Sequence, residues 1–181
     1  YRAMPASGEP FPVVLVIQEI FGVHEHIKDL CRRFAKLGYL ALAPELYARQ
    51  GDVSKTSDVQ QIIRDVVSKV PDEQVMSDLD ATVAYAKETG KGDTARLGIT
   101  GFCWGGTTSF RYATQQPELS AAVVYYGTAP TDRTALEKIK APVLGCYGGD
   151  DARVTATVPD AEKAMKELNK SYEHHEYAGA G

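Results

Sequence analysis

The run Gly101-Phe102-Cys103-Trp104-Gly105-Gly106 follows the largely apolar stretch 95–100 and opens a segment that reads as a helix, so it has the form of a G-x-C-x-G nucleophile elbow. A side chain is lifted clear of a sheet only where the backbone turns sharply between strand and helix, and that turn crowds the residues two before and two after its apex. Glycine relieves the crowding. A cysteine at the apex sits at a helix N-terminus, where aligned peptide dipoles favour the thiolate, the nucleophilic form. The chemistry offered is covalent catalysis by a thiolate. The competing account of a lone cysteine is a small buried hydrophobe, and the strand before and helix after favour the elbow.

Such a residue needs strands and helices to hold it at a rim. Val13-Val14-Leu15-Val16-Ile17 is a continuous apolar run of the kind buried on both faces of a parallel sheet, and Leu40-Ala41-Leu42-Ala43, Val123-Val124-Tyr125-Tyr126 and Val143-Leu144-Gly145-Cys146-Tyr147 repeat the type. Between them, residues 25–37 place Ile27, Leu30, Cys31, Phe34 and Leu37 at helical spacing, with Gly38 as the stop. Residues 57–69 and 73–89 predict two more helices separated by Pro71, and 159–168 another; Tyr172–Tyr177 reads as a final strand. Strands alternating with helices predict an α/β fold with a mainly parallel sheet and right-handed crossovers. The rhythm loosens over 48–72, which either caps a pocket or adds a surface helix.

The bulk numbers narrow the function classes. A chain of 181 residues, 44% hydrophobic with net charge −4, fits one domain with a sizeable core. It has no basic stripe for nucleic acid or an anionic membrane, which points to a small-molecule ligand and, by default, a monomer. Cys31, Cys103 and Cys146 form no CxxC pair and have no histidine at zinc-finger spacing, so the expectation is free thiols in a reducing, cytoplasmic compartment, without metal. Cys31 and Cys146 read as core thiols. No apolar run reaches the roughly 18 residues of a membrane helix and no signal-peptide pattern opens the chain, although Tyr1 is not a start residue.

The blocks Gln18-Glu19-Ile20-Phe21-Gly22-Val23-His24, Ala43-Pro44-Glu45-Leu46-Tyr47, Gly101–Gly106, Tyr125-Tyr126-Gly127, Gly148-Gly149-Asp150-Asp151 and Tyr177-Ala178-Gly179-Ala180-Gly181 fall in the order and spacing of the dienelactone hydrolase family, which the sequence resembles along nearly its whole length. The resemblance implies an α/β-hydrolase fold, a mainly parallel sheet with helices on both faces, and a Cys-His-Asp triad cleaving small lactones or esters of the carboxymethylenebutenolidase type without a cofactor. It makes Cys103 the nucleophile, forming a thioester that water later hydrolyses. Oxyanion donors would be the backbone N–H groups of Trp104 and Ile20, although an ordinary core side chain accounts for Ile20 as well. Chemistry alone leaves Asp150 and Asp151 equal as the acid that orients the base; the family's spacing to a valine, here Val154, selects Asp151. Glu19, a carboxylate at the end of a buried strand, would hydrogen-bond the resting thiol and restrain it, the alternative being a salt bridge to a structural Arg or Lys. Tyr126 is a candidate for contact with substrate. A substrate carboxylate would need a cation, for which Arg64 and Arg49 are candidates alongside the simpler reading of exposed, solvated arginines.

In the family the histidine follows a loop like Ala178–Gly181 at once, and the sequence stops at Gly181. The expectation is therefore a chain truncated at both ends, with the base next after Gly181 and the preceding loop left unheld. His174 and His175 alternate across a strand well before its end, too far to serve. His24 begins the helix after the first loop but has no evident acid partner, so lining the pocket or capping the helix is its expected role. His24 and His26 do not converge on a metal at i,i+2. Two other functions stay open: a non-catalytic small-molecule binder on the same fold, and a peroxide sensor at Cys103, which lacks a second cysteine placed to resolve a sulfenic acid.

Overall fold

In the computed structural model, which describes residues 1–181, the chain falls into two units, Tyr1–Arg96 and Leu97–Gly181. The first carries β1 (Arg2–Ala3), β2 (Phe11–Ile17), α1 (Glu25–Lys36), β3 (Leu40–Leu42), α2 (Val59–Asp65), α3 (Asp72–Glu88) and the start of β4 (Gly92–Phe102). β2 pairs with β3 in parallel, Val13 opposite Leu40, and β1 pairs with β3 antiparallel, Arg2 opposite Leu42. Val13 to Ile17 are buried on both faces, as their unbroken apolar pattern predicts. Each such side chain contributes roughly 1.5–3 kcal/mol by leaving water. α1 buries Ile27 and Cys31, one turn apart, and stops where Gly38 takes a positive φ of 97°.

The loosened segment resolves into two parts. Residues 48–57 run as turns and a short 3-10 helix, Val53–Lys55, along a cavity wall, so the pocket-capping expectation fits this half. α2 starts where the Asp58 carboxylate accepts from Gln61 N–H at 3.1 Å. It ends earlier than the periodicity predicts, because Val66 leaves helical geometry before a short 3-10 turn at Val67–Lys69.

The second unit continues β4 into α4 (Trp104–Ala113), β5 (Leu119–Tyr125), α5 (Arg133–Glu137), β6 (Val143–Gly148), α6 (Ala152–Thr155), α7 (Val158–Glu167) and β7 (Tyr172–Tyr177). β4, β5, β6 and β7 lie side by side, all parallel, with Thr100 opposite Val123, Val124 opposite Gly145 and Cys146 opposite His175. Parallel strands deliver their carboxyl ends to one edge, and in open α/β sheets reactive groups collect there. No helix is long and apolar enough to cross a membrane.

Candidate active site

Cys103 stands at that edge, between β4 and α4, with φ 56° and ψ −119°. A non-glycine residue at positive φ stores on the order of 1–3 kcal/mol and persists only where its surroundings over-determine it. Three glycines make the geometry possible. A Cβ on Gly101 would sit 2.1 Å from the Gly105 carbonyl oxygen, one on Gly106 2.4 Å from the Tyr125 oxygen, and one on Gly127 2.1 Å from Thr107 N. The start of α4 thus lies against the exit of β5 backbone to backbone. Thr107 Oγ1 accepts from Thr128 N–H at 2.9 Å and locks the contact. Cys103 is partly exposed, and its thiol does not cap the helix.

Backbone bonds lace the strand exits together. Cys103 N–H donates to Tyr125 O at 3.1 Å, Tyr126 N–H to Cys146 O at 2.8 Å, Gly149 N–H to Tyr177 O at 2.9 Å and Asp150 N–H to Ala180 O at 2.8 Å. The loop 177–181, expected to be unheld, is therefore tied to the turn that carries the acids, and a Cβ on Gly181 would lie 3.2 Å from Asp150 Cβ. On that turn Asp150 is exposed, whereas Asp151 is half-buried. Asp151 Oδ1 accepts from Val154 N–H at 3.2 Å, and Oδ2 lies 3.8 Å from Arg153. The spacing to Val154 noted in the sequence is thus an N-cap that fixes the carboxylate.

Trp104 is the first residue of α4, so its N–H is one of the donors that a helix start offers. Tyr126 also has positive φ, 39°, and its ring is exposed 6.3 Å from that of Phe102. Cys31 is wholly buried, and burial pushes its thiol up to about 11. Cys146 departs from the expected core thiol: it is only half-buried, and burial raises it while a hydrogen bond with Tyr177 offsets part of the rise. His174 and His175 alternate as expected, with His174 Nε2 3.6 Å from Glu162 and His175 Nε2 3.0 Å from Glu173.

The first unit places Glu19 and Ile20 in a tight turn after β2, where Gly22 N–H donates to Glu19 O at 3.3 Å. Two results there go beyond the sequence reading. Glu19 pairs with a histidine: its Oε2 is 3.4 Å from His24 Nε2, which gives His24 the acid partner the sequence did not reveal. Glu45, quoted in a sequence block but given no role, accepts from Val23 N–H at 3.0 Å and pins the same turn. Its proline-flanked position after β3 was the available signal. A cavity of about 670 Å³ opens beside this turn, lined among others by Phe21, His24, Lys28, Glu45, Val53 and Ser57. Neither candidate arginine lines it. Arg64 is exposed and grips its neighbour Asp65 with two bonds of 2.9 and 3.0 Å, and Arg49 pairs with Asp78.

Comparison with known proteins places the chain in a family. The family model described as the dienelactone hydrolase family covers residues 1–181. A protein of Methylorubrum extorquens named "Putative carboxymethylenebutenolidase" is 59% identical over 191 residues, an alignment spanning 100% of this chain and 66% of the relative. A protein of the same name from Escherichia coli K12 is 44% identical over 192 residues, spanning 100% and 70%. The chain spans about two thirds of the length of these curated relatives. A crystal structure described as a "Putative Dienelactone Hydrolase" from Klebsiella pneumoniae superposes with a TM-score of 0.93 at 46% identity, covering 99% of this chain and 79% of that one. The fold is that of the α/β-hydrolases. A family match along every residue, joined to identities this high, carries the assignment: the chain belongs to the dienelactone hydrolase family.

Proposed function

We propose that this chain supplies the catalytic domain of a cofactor-free hydrolase that opens a small lactone or carboxylic ester through a thioester on Cys103. The observation that carries the reading is Cys103 itself, held at positive φ on a glycine-lined elbow at the start of α4, in a chain of this family. The Cys103 thiolate attacks the ester carbonyl carbon, and the tetrahedral oxyanion accepts hydrogen bonds from the backbone N–H groups of Trp104 and Ile20. Collapse breaks the carbon–oxygen bond; the leaving alkoxide, which in a lactone stays tethered, takes a proton from the imidazolium. Water, deprotonated by the same imidazole, then cleaves the thioester and frees the acid.

The base is the histidine that the family resemblance sets next after Gly181, and Asp151 orients it. The N-capped, half-buried Asp151 carboxylate and the bonds between its turn and the loop 177–181 support that pairing. Glu19 enters as the resting partner of the thiol and Ile20 as an oxyanion donor on the resemblance. Tyr126, exposed beyond the exit of β5, is proposed to touch substrate. Arg64 could bind a substrate carboxylate only by giving up Asp65.

The test is hydrolysis of small activated esters by the full-length protein. Cys103→Ala is expected to abolish turnover with the fold intact. Asp151→Asn is expected to lower kcat by about 10²–10⁴-fold, because the imidazole loses its orienting partner, whereas Asp150→Asn costs less than about tenfold by the same reasoning. Turnover surviving in Cys103→Ala, or ligand binding without turnover in the wild type, rejects the reading. A larger loss in Asp150→Asn moves the acid by one residue and leaves the rest standing.

A further inference from the structure

His24 is better placed than a pocket-lining or capping residue needs to be. A neutral imidazole donates from one nitrogen and accepts at the other, and only the imidazolium donates from both. In this turn both ring nitrogens face oxygen acceptors: the Gly22 carbonyl lies 3.2 Å from Nδ1 and Glu19 Oε2 lies 3.4 Å from Nε2. The backbone makes the arrangement rigid. His24 N–H donates to Gly22 O at 2.9 Å, and Glu45 holds the adjacent Val23 N–H at 3.0 Å. Gly22 cannot be replaced without loss, because its φ is +74° and a Cβ there would meet Val53 at 3.0 Å and Glu45 at 3.2 Å. The Glu19 side chain is only 17% exposed, so a charge beside it is weakly screened. The other titratable groups around the ring are His26, with its ring 6.1 Å away on α1, and Lys28, Glu45 and Asp52 on the cavity wall.

We propose that His24 is a positioning residue for Glu19: its imidazolium bridges the Gly22 carbonyl and the Glu19 carboxylate, and loss of its proton lets that carboxylate go. The inference rests on the reading above, in which Glu19 restrains the resting Cys103 thiol. Protonation of His24 thereby sets how firmly the nucleophile is held in check.

The experiment is the rate of iodoacetamide labelling of Cys103 in the full-length protein from pH 5.5 to 8, read by mass spectrometry. Glu19→Gln is expected to raise the rate at pH 6 several-fold, and His24→Ala to raise it by a similar factor. In the Glu19→Gln background His24→Ala is expected to add nothing, because the residue acts through the carboxylate. His24→Gln, which keeps a donor towards Glu19 but does not titrate, is expected to restore most of the restraint and to lose the inflection that His24 gives the wild-type profile. If His24→Ala acts equally in both backgrounds, its role is merely to brace the turn and the proposal fails while the reading of Glu19 stands. If Glu19→Gln leaves labelling unchanged, that reading falls and the proposal falls with it.

Discussion

The three thiols of this chain occupy three different environments, and reactivity should follow them. Cys103 is rim-exposed at the start of a ten-residue helix, Cys31 is sealed within the first unit, and Cys146 sits half-buried against Tyr177. With its pKa near 11, Cys31 carries a thiolate fraction on the order of 1 in 3,000 at pH 7.5, and that fraction rises with pH. Native protein treated briefly with iodoacetamide at pH 7.5 should therefore label at Cys103 first by a wide margin, read by peptide mass spectrometry; equal labelling at Cys146 would contradict the assignment. The cysteine was legible in the sequence because its glycines were, and at Gly101 and Gly106 an added Cβ would meet backbone closer than 2.5 Å. The partner of His24 was not legible. A 3.4 Å contact between residues five apart in a turn has no periodicity to announce it, and a carboxylate at the end of an apolar strand suggests some partner without naming which.

Among the elements, those with a long apolar period emerged within a residue or two of their predicted bounds, α1 and α3 among them. Those too short to carry a period did not: β1, α5 and α6 have two, five and four residues. Yet α6, the shortest α-helix of the chain, positions Asp151 through its first turn, and here the family spacing carried what helical periodicity could not. The junction of α4 with β5 yields a prediction of its own. Gly127→Ala drives a Cβ to within 2.1 Å of Thr107 N, a backbone atom with nowhere to go, and should cost roughly 2–4 kcal/mol. Thermal unfolding should register this as a Tm lower by roughly 5–15 °C. Gly90→Ala, at φ +70° with open space around it, should cost only about 1 kcal/mol. Equal losses at the two positions would mean that conformation, not close approach, governs the junction.

For the molecule as a whole, the decisive comparison is between residues 1–181 alone and the full-length protein. On the proposed mechanism residues 1–181 do not include the general base, so their ester hydrolysis should be slower by about 10²–10⁴-fold, the usual worth of such a group. On the proposed mechanism, recovery in the longer chain should vanish when the histidine base assigned to it is replaced by alanine. Equal rates in the two chains, abolished by His24→Ala, would make His24 the base with Glu19 as its acid. The laced strand exits bear on a longer timescale than any assay. Cys103 is bound to Tyr125, Tyr126 to Cys146, Gly149 to Tyr177 and Asp150 to Ala180, each through amide and carbonyl groups that every residue type but proline can provide. Side chains along those exits can therefore drift under selection while the backbone of the rim keeps its place, so on the proposed function a lineage built on this rim can change its diet without reinventing its chemistry.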